Sequence, residues 1–532
     1  MGTYKEQNIL LSEERKEVES NIVLLEKKLK NAFSLTENTD LNHNLLLQSL
    51  KDVKDDAKIS ESELAIITSE LKKLSCPVTW KLEKGFDYYK HIMDVTNCEL
   101  DFENNDILPF QSIIGFLVTS IQELYYGRDD AAEKKFNEAF KLYTELIEMD
   151  DMFYLKKVLK HVVYATKCYI FYSGKKFSAI KNLLQDIPNS NDFDTQELGV
   201  ISGCVGIATD LCMRFDPSIA IQHFEAAINM DPDSGLWHFC LAKLLRLQRR
   251  RIDIRMKPSS REEQEFTIAY NLSKNPIFGI YIARLMRESL SNVKGRNQLI
   301  SFENKMVELY DEVFLHAKSN HRILLMLALG YIRIKTHDKS KEARECLELV
   351  QKLLPDNSMY FHYQAKYMEK FGTKEEVIYY FKKASEKYNF CADCDYASYI
   401  ARTSMEDALE YLESLIPRYN DFKECNQGIL LKTATTYYSH GNIKRASELF
   451  LKALNIDAEN DMLKKPYHFI KFDTNDFKNG IYGFLRFRLL PEIKRSYSSD
   501  HELVDIGDKI RAIVLEFGNS VFSLPRKLSE NK

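Results

Sequence analysis

The chain has 532 residues, of which 45% are hydrophobic and 29% charged, as in a globular protein rather than a disordered one. Glycine contributes only 19 residues and proline 12, about half their usual frequencies, which argues against collagen-like and all-β folds. The 74 Lys and Arg residues nearly balance 78 Asp and Glu residues, and the net charge of −4 excludes a global positive field for nucleic acid. Any polyanion site must therefore be a local basic patch.

The N-terminus and the most apolar segment indicate where the protein acts. Residues 1–10 lack the apolar stretch of a secretory signal, so the ten cysteines are expected to be reduced thiols. Glu6 follows Gly2 where a myristoylation signal needs Ser or Thr. The most apolar run, residues 107–122, is shorter than the roughly 20 residues of a membrane span. We therefore expect a cytoplasmic protein with no membrane association.

Residues 1–75 predict an N-terminal helical extension. Apolar residues recur with helical spacing in residues 22–29, 45–50 and 64–71, and polar stretches such as residues 36–44 separate them. This pattern fits a helical hairpin packed on the first repeat. A coiled-coil dimerisation arm would need three or four sustained heptads, and we find no such run.

The chain then repeats a pattern typical of tetratricopeptide repeats, which are antiparallel helix pairs of about 34 residues. Helix B of such a repeat carries a small residue at position 20, a bulky one at 24, a small one at 27 and often proline at 32. Small residues let the paired helices approach, and the bulky one fills the groove between successive repeats. The spacing is complete in two units and partial in five others: Ala220, Phe224, Ala227 and Pro232; Ala343, Leu347, Val350 and Pro355; Ala132, Phe136 and Ala139; Ala179 and Leu183; Phe381 and Ala384; Ala408, Leu412 and Leu415; Ala446, Phe450 and Ala453.

These spacings predict an all-α fold, a tetratricopeptide-repeat superhelix (α-solenoid) with an N-terminal helical extension. We divide it into the extension at 1–75, a first set of repeats with a basic groove at 76–290, a second set at 291–465, and capping helices at 466–532. The capping helices are expected because the last repeat of a solenoid must cover its own apolar face.

No enzyme signature is found: the sequence lacks a Walker loop, GxGxxG, HExxH and GxSxG. Cys391 and Cys394 have the spacing of a zinc knuckle, but a structural zinc site needs four ligands, and no second pair is present. We interpret them as two thiols in a turn between repeats. The sequence thus predicts a protein that is not an enzyme and has no metal and no cofactor.

The repeat register indicates which cations line the concave groove, because helix-A positions 2, 5, 9 and 12 face it. We count from Pro232 at position 32 and place Ala283 at the small position 8 of the next helix A. The groove cations are Lys243 and Arg246 on one helix A, Arg284 and Arg287 on the next, and Arg322 on the third. Cations at matching heights on adjacent repeats suit a polyphosphate backbone, whereas the alternative interpretation is a solvated charged face.

Further candidates flank this row. Arg249 and Arg250 follow where helix A ends, although cations there also complement the helix dipole. Upstream, the register from Gly174 puts His161, Tyr164 and Phe171 on the concave face. Aromatic rings beside cations would stack exposed bases, and the alternative for these three is core packing.

Three stretches resemble a known family. Residues 71–82, LKKLSCPVTWKL, resemble the opening L-x-C-H-F-T-W-x-L of the interferon-induced proteins with tetratricopeptide repeats. Residues 110–139 resemble the first repeat of that family, and residues 220–246 resemble its A-x-x-x-F-x-x-A-L-x-x-x-P-D-N repeat followed by a helix with a groove arginine. The resemblance spans roughly residues 70–460.

The resemblance implies a cytoplasmic antiviral protein of innate immunity that holds the 5′ end of single-stranded RNA, including 5′-triphosphate ends, in a positive groove. Arg246 would be the groove arginine. The cap-stacking tryptophan of the family falls at Ile207 here, so we do not expect recognition of a cap. The alternative function is a protein-interaction scaffold that binds a partner peptide or helix in the same groove, and the sequence leaves RNA and protein partners both open.

Overall fold

The computed structural model describes residues 59–80, 82, 108–147, 153–212, 217–252, 256–290, 295–464 and 480–518. Within these ranges the chain forms helices and contains no β-strand. The helices pack into two compact units. The first unit holds the described residues up to Leu244 together with Ile268–Ser273, and the second holds Leu245–Thr267 and the described residues from Lys274 onward.

The first unit is built from antiparallel helix pairs. Its helices are α1 (Glu61–Leu71), α2 (Pro109–Tyr125), α3 (Asp129–Ile147), α4 (Phe153–Ser173), α5 (Phe177–Asp186), α6 (Thr195–Cys212), α7 (Ser218–Met230) and the first part of α8 (Gly235–Ile252). The small and bulky residues predicted for helix B are buried: Ala220, Phe224 and Ala227 on α7 are at most 1% exposed. Pro232 follows the last residue of α7 by two positions, as its place in the repeat requires.

The second unit continues the same arrangement. Its helices are the rest of α8, part of α9 (Ser260–Ser273), α10 (Pro276–Ser289), α11 (Arg296–His316), α12 (His321–Ile332), α13 (Ser340–Leu353), α14 (Ser358–Phe371), α15 (Lys374–Glu386), α16 (Phe390–Ile400), α17 (Met405–Arg418), α18 (Lys423–Ser439), α19 (Ile443–Ile456), α20 (Asp461–Lys464), α21 (Gly480–Phe484), a π-helical turn (Leu485–Leu489), α22 (Leu490–Ser496) and α23 (His501–Phe517). Ala446, Phe450 and Ala453 have no exposed surface, and α23 packs on the same core. The prediction of an all-α tetratricopeptide-repeat fold is confirmed.

Helix α1 is the part of the N-terminal extension that the structure describes. Its first turn is closed by a capping box between Ser60 and Glu63, and its apolar face, with Ile67 and Leu71, packs in a cluster with residues of α4 and α5. It therefore lies on the second helix pair, where we predicted contact with the first. The predicted apolar segments at 22–29 and 45–50 lie outside the described residues.

The two closely spaced cysteines are placed differently from the prediction. Cys391 and Cys394 lie in the first turns of α16 rather than in a turn between repeats. The helix begins there because the Asn389 side chain accepts a hydrogen bond from the backbone N–H of Ala392, which is the interaction of an N-cap. Among the described residues, no group of three or more His, Cys, Asp and Glu is arranged to hold a metal ion.

No described helix is both long enough and apolar enough to cross a membrane.

A glycine in α6 allows α8 to approach closely, and its substitution tests the packing of the first unit. A Cβ added at Gly203 would overlap the ring of Trp237, which is fully buried and donates a hydrogen bond from Nε1 to Asp231 Oδ2 at 2.9 Å. We expect Gly203→Ala to lower the free energy of unfolding by about 1–3 kcal/mol through overpacking. Urea titration of the full chain measures the change.

The matched control is Gly115→Ala in α2. A Cβ there would meet Leu211 Cδ1 at 3.5 Å, which is ordinary contact, so the gain in helix propensity should leave stability unchanged or raise it by up to about 1 kcal/mol. Equal effects of the two substitutions would contradict the packing described for Trp237.

Candidate functional site

The second unit gathers six arginines near two carboxylates. Arg246, Arg249 and Arg250 come from α8 and are called here the paired arginines, because each contacts a carboxylate. Arg284 and Arg287 of α10 and Arg333 at the end of α12 are called the arginine triplet, since the charges of Arg284 and Arg333 both act on Arg287. The two carboxylates are those of Glu262 on α9 and Glu288 on α10.

Arg249 is the structural centre of the paired arginines. Its side chain is 6% exposed, and Nε and Nη2 donate to the two oxygens of the fully buried Glu262 at 2.8 and 3.0 Å. Nη1 donates to the carbonyl of Met256 at 2.6 Å, and Nη2 also contacts Glu288. Four of the five N–H groups of this buried guanidinium are thus bound within the protein. The prediction of Arg249 as an RNA contact is therefore corrected to a structural role.

Glu288 binds all three paired arginines at once. Its Oε1 accepts from Arg246 Nη2 and, at 2.9 Å, from Arg250 Nη1, while its Oε2 accepts from Arg249 Nη2. Burial alone would raise the pKa of Glu288, but hydrogen bonds from Arg246 and Arg249 and the charges of Arg246 and Arg250 hold that pKa below its usual value. Glu288 is therefore a carboxylate at neutral pH.

The arginine triplet has no such counter-charge. Among the described residues, no carboxylate lies within ion-pair distance of Arg284, Arg287 or Arg333. Burial lowers the pKa of the half-buried Arg287, and the positive charges of Arg333 and Arg284 lower it further, against the opposing effects of Tyr310 and Glu288. An anion near Arg287 would offset the repulsion that it meets from the other two guanidinium groups.

Charged side chains from other helices hold the backbone around Arg333, just after α12. The Nζ of Lys370, on α14, donates to the carbonyls of Ile332 and Ile334, both at 2.6 Å. The carboxylate of Glu303, on α11, accepts hydrogen bonds from the backbone N–H groups of Lys335 and Thr336 at 2.7 to 3.1 Å. The turn that carries Arg333 is therefore held on both sides by charged side chains.

An aromatic ring lies between the two groups of arginines. The Cζ of Arg284 is 5.2 Å from the ring centroid of Tyr281, and the Cζ of Arg246 is 6.0 Å from it. The ring of Phe266 packs against Tyr281 with a centroid distance of 5.7 Å. Tyr281 thus joins one paired arginine to one member of the triplet through cation–π contacts.

The other two predicted groove cations are Lys243 and Arg322. Lys243 is half-buried in the first unit, with its Nζ 5.6 Å from the ring of Phe239. Arg322 is the second residue of α12, whereas Arg333 follows the last, so the two are separated by about 16 Å along the helix axis. The charge that acts on Arg287 from this part of the chain is that of Arg333, which directly follows α12, and not that of Arg322.

The three predicted stacking residues belong to the first unit, and two of them are core residues. His161 is 1% exposed; its Nε2 accepts from the backbone N–H of Ser75 at 2.9 Å, and its Nδ1 donates to the carbonyl of Pro188 at 2.7 Å. Burial lowers the pKa of His161. Phe171 is 3% exposed, so neither ring offers a face to a base, which corrects both predictions. Tyr164 is half-buried, and Lys160 Nζ lies 5.5 Å from its ring.

The sequence reasoning missed Arg333, Glu288 and Tyr281. Arg333 lies one residue beyond position 12 when Ala328 is placed at position 8, so a count of positions 2, 5, 9 and 12 passes over it. Allowing the residue that follows the helix would have found it. Glu288 and Tyr281 carry no comparable signal, because their partners come from a helix some 40 residues away in the chain.

Comparisons with known proteins bear on the fold. No protein-family model matches the sequence, and no curated protein matches it. Two structures of the human IFIT1 dimer, with m7Gppp-AAAA and with PPP-AAAA, match with TM-scores of 0.48 at 16% identity, over 86% of this chain and 99% of theirs. The crystal structure of yeast Tom70 matches with a TM-score of 0.39 at 11% identity, over 77% of this chain and 95% of that chain. These similarities concern the fold alone.

The burial of Arg249 leads to a stability test. We expect Arg249→Met to lower the free energy of unfolding by about 3–5 kcal/mol, because it leaves the fully buried Glu262 without its counter-charge. Arg250→Met removes a pairing that is 30% exposed on the arginine side and should cost at most about 1 kcal/mol. Urea titration compares the two variants, and a cost of Arg249→Met no larger than that of Arg250→Met would be evidence against the structural role.

Proposed function

We propose that the protein binds single-stranded RNA without catalysis, and that the arginine triplet contacts its phosphates. One observation carries this proposal. Arg287 is half-buried, the charges of two other guanidinium groups act on it, and no carboxylate lies within ion-pair distance of the triplet among the described residues. A phosphate backbone supplies the missing negative charge at regular spacing along the strand.

The residue types favour phosphate and an adjacent base. The planar guanidinium group donates two parallel hydrogen bonds to a phosphate, which a lysine does not. Tyr281, beside Arg246 and Arg284, adds an aromatic ring of the kind on which proteins that bind single strands stack bases. The combination of guanidinium groups with an aromatic ring supports RNA over the scaffold function.

The wider biological role belongs to the same proposal. The sequence resemblance to the interferon-induced tetratricopeptide-repeat proteins supports an antiviral role and a preference for 5′-phosphorylated ends. The nine cysteines that the structure describes are all free thiols, as is usual for cytoplasmic proteins. We propose a cytoplasmic protein that sequesters RNA.

The test is the salt dependence of RNA binding. For three phosphate contacts, the slope of log K against log salt concentration for a single strand should be about −2. Arg287→Ala with Arg333→Ala should reduce that slope by about 1.4 and weaken binding to a similar degree across sequences, because phosphate contacts do not read bases. Fluorescence titration of a labelled oligouridylate at several salt concentrations measures both quantities.

A double variant on α23 serves as the control. Lys509→Ala with Arg511→Ala removes the same two positive charges from an exposed surface, where each cation already has an aspartate partner. Its slope should equal that of the wild type. If the slope of log K against log salt concentration falls in both double variants, binding depends on net charge alone. If a polyglutamate peptide of equal charge displaces the RNA, the scaffold function is favoured. A 5′-triphosphate strand that competes no better than its 5′-hydroxyl counterpart would remove the preference for 5′ ends.

A further inference from the structure

Glu288 is the one carboxylate that Arg246 and Arg250 contact among the described residues. Arg249, by contrast, also has Glu262 and the carbonyl of Met256. Loss of Glu288 would therefore leave Arg249 paired and would release the other two guanidinium groups. Of the three arginines on Glu288, Arg249 has other partners within the fold, whereas a ligand could take the place of Glu288 for Arg246 and Arg250.

Arg246 is incompletely satisfied even with Glu288 in place. Its Nη2 contacts Glu288, but its Nε is buried and has no hydrogen-bond partner in the described structure. A buried donor without an acceptor is unfavourable. A ligand with more acceptor oxygens than a carboxylate, such as a phosphate, would therefore satisfy Arg246 better than Glu288 does.

Glu288 is also adjacent to the triplet. It follows Arg287 directly in α10, and its charge acts on Arg287. Arg246, which Glu288 holds, shares the Tyr281 ring with Arg284 of the triplet. A polyanion at the triplet would lie close to a competing negative charge and to two arginines held by that charge.

We propose that Glu288 is a built-in counter-anion that competes with the bound polyanion for Arg246 and Arg250, and so limits the affinity of the site. This inference rests on the proposed function. In the free protein Glu288 holds the two guanidinium groups. Glu288 keeps them in the wild-type complex as well, so the polyanion contacts the triplet alone. Without the charge of Glu288 they would turn to phosphate oxygens, while Arg249 stays on Glu262.

The variant Glu288→Gln tests the competition, because glutamine keeps the shape and removes the charge. With Arg246 and Arg250 released, the slope of log K against log salt should steepen from about −2 to about −3.5. Affinity for a 5′-hydroxyl oligouridylate should rise roughly ten-fold, the gain of one charge-assisted hydrogen bond. Fluorescence titration at several salt concentrations measures both effects, and thermal unfolding checks that the variant remains folded.

The matched control is Glu413→Gln on α17. Glu413 also accepts an arginine, Arg445, and its removal changes the net charge of the same unit by the same amount. It should leave affinity and slope at their wild-type values. A gain equal to that of Glu288→Gln would assign the effect to net charge and overturn the inference.

A second background separates competition from a general loosening of the fold. In a protein that already carries Arg246→Gln and Arg250→Gln, the further change Glu288→Gln should bring no gain, because the arginines it would release are absent. A gain of the same size there would contradict the inference. Glu288→Asp, which keeps the charge, should bind as the wild type does.

The outcomes distinguish this inference from the proposed function. If the wild type binds RNA with a slope that depends on Arg287 and Arg333, but Glu288→Gln binds no more tightly, the competition is wrong and the RNA site stands. If neither protein binds RNA, both proposals fail. Binding that only Glu288→Gln shows would support the counter-anion in its strongest form.

Discussion

The close approach of paired helices is the constraint on which the rest of the structure depends. In the second unit, Ala283 of α10 and Ala328 of α12 have no exposed surface and belong to one core cluster with Met306. A residue this small at the contact fixes the rotation of each helix about its axis. The residues one and four positions after Ala283, Arg284 and Arg287, then lie on an adjoining face. Core packing therefore places the two arginines on one side of α10, although their like charges repel each other.

This dependence explains how much the sequence could predict. The spacing of small and bulky residues on one face is local, so the helix pairs could be predicted, and Ala220, Phe224 and Ala227 are buried as expected. Arg284 and Arg287 could be assigned to one site for the same reason, since both are counted from Ala283. What can be counted along a single helix from a buried small residue can be predicted without the structure.

The features that the sequence did not predict depend on partners far away in the chain. His161 is a core residue because Ser75 and Pro188, 86 and 27 positions away, bind its two ring nitrogens. Arg249 lies near the end of its helix, where the sequence alone indicates a solvent-exposed cation. It is buried because it pairs with Glu262, which comes from another helix. The turn that carries Arg333 is held by Lys370, which comes from another helix. Periodicity carries no information on such contacts.

The balance of charge in the second unit follows from two opposing demands. If every arginine had a carboxylate, no cation would remain for a ligand, and if none had one, repulsion would oppose folding. The pairs that serve the fold are buried, with Arg249 6% and Glu262 1% exposed, and salt screens buried pairs little. Arg333 is exposed, and salt weakens its contacts far more. A rise in ionic strength would therefore release a polyanion from the triplet while the pairs that hold α8 and α9 together remain intact.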